Sequence, residues 1–123
     1  MDPNQPPLNR LTEATFYILL SLTPGEKHGY AILKDVGKLS QERVVLSTST
    51  LYSALERMQV QGLIDRVDDN SPAAAPGLPR KVYRLTGAGR SALEIELGHL
   101  KHMVNAGHDR LVESGDLGFK TER

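Results

Sequence analysis

The stretch "STSTLYSALERMQVQGLI", residues 47–64, opens with four hydroxyl side chains and continues as a helix. Leu51, Ala54, Leu55 and Met58 recur at steps of three and one, and with Leu63 they predict a buried stripe. A hydroxyl just before the first turn accepts a hydrogen bond from an orphan amide, which predicts Ser47 or Ser49 as the cap. Gly62 predicts the stop. One cap needs one hydroxyl, so Ser47, Thr48, Ser49 and Thr50 present a surplus. That surplus fits either a solvated loop or a partner rich in acceptors, such as phosphates and base edges. Tyr52, Ser53, Glu56 and Arg57 fall off the stripe and are expected to face outward. There Arg57 can pair with guanine or phosphate, or stay in solvent.

The flanking sequence sets this helix in context. "MDPNQPPLN" (1–9) reads as a flexible arm, and Asn9 is expected to cap a helix through "RLTEATFYILLSL". Leu11, Thr15, Ile18, Leu19 and Leu22 share one side of it, and "TPGEK" ends it. "HGYAILKDVGKLS" predicts a second helix, with Tyr30, Leu33 and either Val36 or Gly37 at helical spacing. "RVVL" (43–46), short and β-branched, predicts an extended segment. Beyond the third helix, "LIDRV" and "KVYRL" alternate around a tip of Asp, Asn, Ser, Pro and Gly, the pattern of a β-hairpin with a long loop. Thr86 then caps "GAGRSALEIELGHLKHMVNAG". Leu93, Leu97, Leu100 and Val104 follow each other there at steps of four, three and four, the two-position seam of a coiled coil.

The expected fold is therefore mainly α with a small β-hairpin: a winged helix-turn-helix plus a C-terminal dimerisation helix. Its expected divisions are an arm (1–9), a winged-helix domain (10–86), a dimerisation helix (87–107) and a tail (108–123) that either adds a helical turn or is disordered. In this arrangement the third helix enters the major groove and the hairpin lies along the backbone.

Composition narrows the function. With 15 basic and 15 acidic residues the net charge is zero, which counts against nucleic acid. The segment from Arg43 to Arg90 nevertheless holds seven basic residues and four acidic ones, an excess beside the hydroxyl-headed helix. Without cysteine there are no disulfides or thiolate metal sites. "FYILLSL" is far shorter than the roughly 20 apolar residues of a membrane span, so no membrane partner and a cytoplasmic location are expected. His99 and His102 lie three apart, with His108 beyond, but no well-placed carboxylate completes a ligand set. They are expected to be solvated or interfacial, with no metal and no cofactor. The GxG of "TGAGR" follows a hairpin and not a βαβ strand, which argues against a dinucleotide loop. No GxSxG, HExxH or P-loop pattern occurs, so no enzyme is expected.

"HGYAIL", "LSTSTLYSALERMQVQGLI" and "RKVYRLTGAGR" together resemble the signature stretches of the PadR-like transcriptional regulators. The resemblance runs from about residue 10 to residue 105. It implies a bacterial repressor, homodimeric through the C-terminal helix and released from operator DNA by a small-molecule effector. The chain has no tryptophan, a residue that stacks drugs in some relatives, so a flat aromatic effector does not follow.

On this reading Ser47, Thr48, Ser49, Thr50, Tyr52, Ser53 and Arg57 meet double-stranded DNA. Tyr30 either hydrogen-bonds a phosphate or is half-buried core. Arg80 and Lys81 hold the backbone from the wing, or else keep an edge strand soluble. Leu93, Leu97, Leu100 and Val104 pair the subunits. The alternative is a winged-helix protein-interaction module that does not bind DNA.

Overall fold

The computed structural model describes residues 10–68 and 81–115. The elements run α1 (Glu13–Ser21), β1 (Lys27–His28), α2 (Gly29–Leu39), α3 (Thr48–Val60), β2 (Ile64–Asp68), β3 (Lys81–Leu85) and α4 (Gly87–Glu113). The chain divides into two compact units, Met1–Leu93 and Glu94–Arg123. The fold class is the expected one, mostly helical with a small antiparallel sheet.

α1 starts at Thr12, whose Oγ1 accepts from the Thr15 amide at 3.1 Å. This corrects the cap expected at Asn9, which lies outside the described residues. Threonine competes for nearby amides and so favours the cap position over the helix interior. α2 turns Gly29, Ile32, Val36 and Gly37 inward, which leaves Tyr30 exposed instead of on the buried face.

The chain leaves α2 through Gln41 (φ 55°) and Glu42 (φ 67°), both left-handed. Ser40 ties this turn, its Oγ accepting from the Val44 amide at 2.9 Å. Residues 43–46, expected to be extended, form no strand. The third strand is Lys27–His28, in the order β1-β3-β2. The second edge of central β3 is filled by Lys27–His28 and not by residues 43–46. "RVVL" contributes instead through packing: Val44 and Leu46 lie against the core while Val45 faces out.

α3 buries Leu51, Ala54, Leu55 and Met58, as its periodicity predicts. Gly62, at φ +79°, adopts the left-handed conformation that turns the chain toward β2. β2 and β3 pair from Ile64↔Leu85 to Asp68↔Lys81. The core joins Ile18 and Leu19 of α1, Ile32 and Val36 of α2, the α3 stripe, and Ile64 and Tyr83 of the hairpin.

Thr86 locks the hairpin base to the start of α4. Its Oγ1 accepts from the Gly89 amide at 2.9 Å and donates to the Gly62 carbonyl at 2.7 Å. Its own amide donates to the Leu63 carbonyl at 3.1 Å. A Cβ at Gly89 would fall directly against that Leu63 carbonyl oxygen. Close backbone approach therefore accounts for the second glycine of "TGAGR".

Leu93 is 4% exposed and belongs to the core of the first unit. This corrects its expected place in an intersubunit seam, because a side chain filling one core has no surface left for a second. In the second unit α4 continues to Glu113, so residues 108–113 are helical. Its exposed apolar side chains are Ile95, Leu97, Met103, Val104, Leu111 and Val112.

Candidate nucleic-acid interface

The mouth of α3 is built by its cap. Ser47 Oγ accepts from the Thr50 amide at 3.1 Å and donates to Thr50 Oγ1 at 2.9 Å. Ser49 Oγ stands 3.4 Å from Ser47 Oγ. Thr50 Oγ1 accepts from Ser47 Oγ, so its own hydroxyl proton remains available to an outside acceptor. Ser47, Thr48, Ser49 and Thr50 are all exposed, and the first amides of any helix lack internal acceptors. One turn on, Ser53, Glu56 and Arg57 are exposed as expected. The outer side of α3 thus offers hydroxyl donors, a guanidinium and one carboxylate.

Tyr52 departs from this set. It is half-buried and packs against the core. Its ring lies over Gly29 so closely that a Cβ there would sit 2.8 Å from Tyr52 Cζ. The outward orientation expected for Tyr52 is corrected: the side chain fills the space left by a glycine at the start of α2. On β3 the neighbouring Tyr83 is 3% exposed. Burial pushes its hydroxyl above the ordinary tyrosine range, Tyr52 adds to the rise, and Arg66 partly opposes it. The tyrosines therefore tie α2, α3 and the hairpin together, and no periodicity in the sequence announces this. The available signal was the glycine of "HGY", placed where a helix gains nothing from it.

Tyr30 resolves the other way. It is 68% exposed, and Lys34 Nζ lies 5.6 Å from its ring centroid, within cation–π range. Sequence reasoning missed Lys34, although its place four residues after Tyr30 was readable. On the hairpin, Lys81 is exposed opposite Asp68, and Arg84 pairs loosely with Asp65 at 3.8 Å. Such a surface pair contributes little. Arg80 lies outside the described residues, as does the tip 69–80. Among the described residues no three His, Asp or Glu side chains gather into a metal-holding group. No described helix is long and apolar enough to cross a membrane.

A hydroxyl-capped helix, buried on one side and exposed on the other, with a paired hairpin after it, defines a winged helix-turn-helix protein. Residues 18–95 match the profile of the transcriptional regulator PadR-like family. The chain belongs to that family.

Among similar solved structures is a PadR family transcription regulator from Clostridium difficile, 28% identical, with a TM-score of 0.63. The match covers 81% of this chain and 99% of that one. Another is Bacillus subtilis PadR in complex with operator DNA, 25% identical, with a TM-score of 0.58, covering 68% of this chain and 46% of that one. A curated relative, an uncharacterized 37.1 kDa protein of a Streptomyces fradiae transposon, is 31% identical over 87 residues. These residues are 71% of this chain, but the match spans only 23% of that protein's length.

Proposed function

We propose that the protein is a cytoplasmic repressor that binds a palindromic operator in double-stranded DNA as a homodimer and is released by a small-molecule effector. The observation that carries the reading is the mouth of α3. Four exposed hydroxyls there surround a cap that needs one, with Ser53 and Arg57 exposed on the next turn. Thr48, Ser49 and Thr50 supply donors to phosphates and base edges, Ser47 holds the cap with its proton given to Thr50 Oγ1, and Arg57 supplies a charged donor to guanine or phosphate. Tyr30 and Lys81 hold backbone, with Arg80 beside Lys81 in the sequence. The solved complex of Bacillus subtilis PadR with operator DNA supports duplex DNA as the ligand class. Effector release rests on the family resemblance alone.

Dimerisation is supported by the apolar side chains that α4 exposes. With Leu93 assigned to the core, the seam moves along the helix to Leu97, Leu100 and Val104, and Leu111 continues its seven-residue step. Leu97 is 45% and Val104 54% exposed, so a second copy has apolar area to cover. Two reading heads on one symmetric partner add their contacts about one helical turn apart. Leu97→Glu places like charges in that seam and is expected to give monomers with weak, non-specific DNA affinity. Light scattering and DNA titration read both effects. A dimeric variant would refute the interface, and a tightly operator-binding monomer the mechanism.

The deciding experiment is in vitro selection of retained duplexes, followed by titration across salt concentrations. A recovered palindrome with steep salt dependence is expected. Replacing Arg80 and Lys81 by Ala flattens the slope by up to about two units per subunit on all sequences. Replacing Ser53 or Arg57 shifts preference at one position by about 1–3 kcal/mol. The second reading, a winged-helix module for protein contacts, is favoured by zero net charge and by exposed Glu56 on α3. Salt-insensitive or absent DNA binding would select it.

A further inference from the structure

We infer that Lys34 and Lys38 extend the backbone-binding surface along α2, and that Lys34 also positions the Tyr30 ring for its phosphate contact. The inference rests on the DNA-binding reading above and adds residues to it.

Tyr30, Lys34 and Lys38 are spaced by four along α2, and all three are exposed. Such spacing puts them on one face over about 12 Å of helix axis, long enough to follow successive phosphates of one strand. The only carboxylate on α2 is Asp35, which is half-buried. The charges on the line itself are the two lysines, while the Glu42 carboxylate lies against α2 at Gly37, one residue from Lys38.

The line begins beside the wing. β1 pairs Lys27 with Tyr83 and His28 with Val82, so the chain enters α2 alongside the end of β3 from which Lys81 emerges. Gly29, under the Tyr52 ring, fixes that entry point. Tyr30 thus stands between the wing lysine and the two α2 lysines. An exposed tyrosine ordinarily samples several rotamers. Here the Lys34 ammonium, 5.6 Å from the ring centroid, favours one orientation while remaining in solvent. Lys34 acts both as a cation for the backbone and as a positioning residue for Tyr30. Lys38 acts only as a cation.

The test titrates full-length protein with a mixed-sequence duplex of about three helical turns, over roughly 50–200 mM salt. Lys34→Gln and Lys38→Gln keep helix propensity and should lower the melting temperature by no more than about 5 °C, the cost of a surface cation–π or helix-dipole contact. Each should flatten the log–log salt slope by about 0.9 per subunit, as loss of one phosphate contact does. Tyr30→Phe, which removes a neutral donor, should weaken binding a few-fold at unchanged slope. Lys34→Gln should lower affinity about two- to fivefold more than Lys38→Gln, and that difference should vanish in a Tyr30→Ala background. Steep salt dependence of the unaltered protein with unchanged slopes in both lysine variants would overturn the inference and leave the DNA reading standing. Flattened slopes with equal losses for the two variants would overturn the positioning role. No salt-dependent binding by the unaltered protein would overturn both readings.

Discussion

Gly89→Ala puts a single methyl group where the hairpin base meets α4. The new Cβ would strike the Leu63 carbonyl oxygen and lie 3.1 Å from its carbon and 2.9 Å from Leu85 Cδ1. The obstacle is chiefly backbone, so no rotamer change relieves it. Either the strain remains, about 1–3 kcal/mol for an overpacked methylene, or α4 retreats from the hairpin. Retreat stretches the Thr86 bonds to the Leu63 and Gly62 carbonyls, each worth about 1 kcal/mol. Alanine's helix propensity returns up to about 1 kcal/mol. The net loss is about 1–2 kcal/mol, which lowers the melting temperature of a domain this size by roughly 3–12 °C. Gly87→Ala is the control, since a Cβ there meets nothing within 4 Å in the same first turn. It should be neutral or slightly stabilising. Urea unfolding of the two variants beside the parent reads the difference directly. Equal stability of Gly89→Ala and Gly87→Ala would refute the close-approach account of this motif.

Ser47→Ala removes the α3 cap and should cost about 1 kcal/mol in urea unfolding, with Ser47→Asp recovering most of it. Gly29→Ala should destabilise less than Gly89→Ala, because the Tyr52 ring can move. A double-mutant cycle with Tyr52→Leu should show non-additivity of about 0.5 kcal/mol or more, and strict additivity would separate the two residues. Tyr83 should ionise above the ordinary tyrosine range in an ultraviolet titration, and Tyr83→Phe should remove that late step. Burial raises the folded-state value of Tyr83, so its contribution to stability is complete below the unfolded value of about 10 and is lost as pH rises through the folded value. Alkaline unfolding should therefore be less steep in Tyr83→Phe.

Local patterns determined much of this protein by themselves. The α3 stripe, a cap at Ser47 or Ser49, the stop at Gly62, the hairpin strands and the cap at Thr86 are each written in a few adjacent residues, and the structure settles the α3 cap on Ser47. Their physics is also local: helical periodicity, orphan amides, left-handed glycine and alternation. The exposure of Ser53 and Arg57 follows from the same stripe. Tertiary structure decided what local patterns leave open. "RVVL" has strand propensity, but the second edge of β3 is filled by Lys27–His28, and Val44 and Leu46 pack on the core instead. Tyr52 lies off the α3 stripe yet turns inward, because Gly29 on another helix leaves room for its ring. Leu93 fits a seam by spacing, but it fills the domain core because the first turns of α4 are locked to the hairpin through Thr86 and Gly89. In each case the deciding term is a contact between residues distant in sequence, and periodicity within one element cannot contain it.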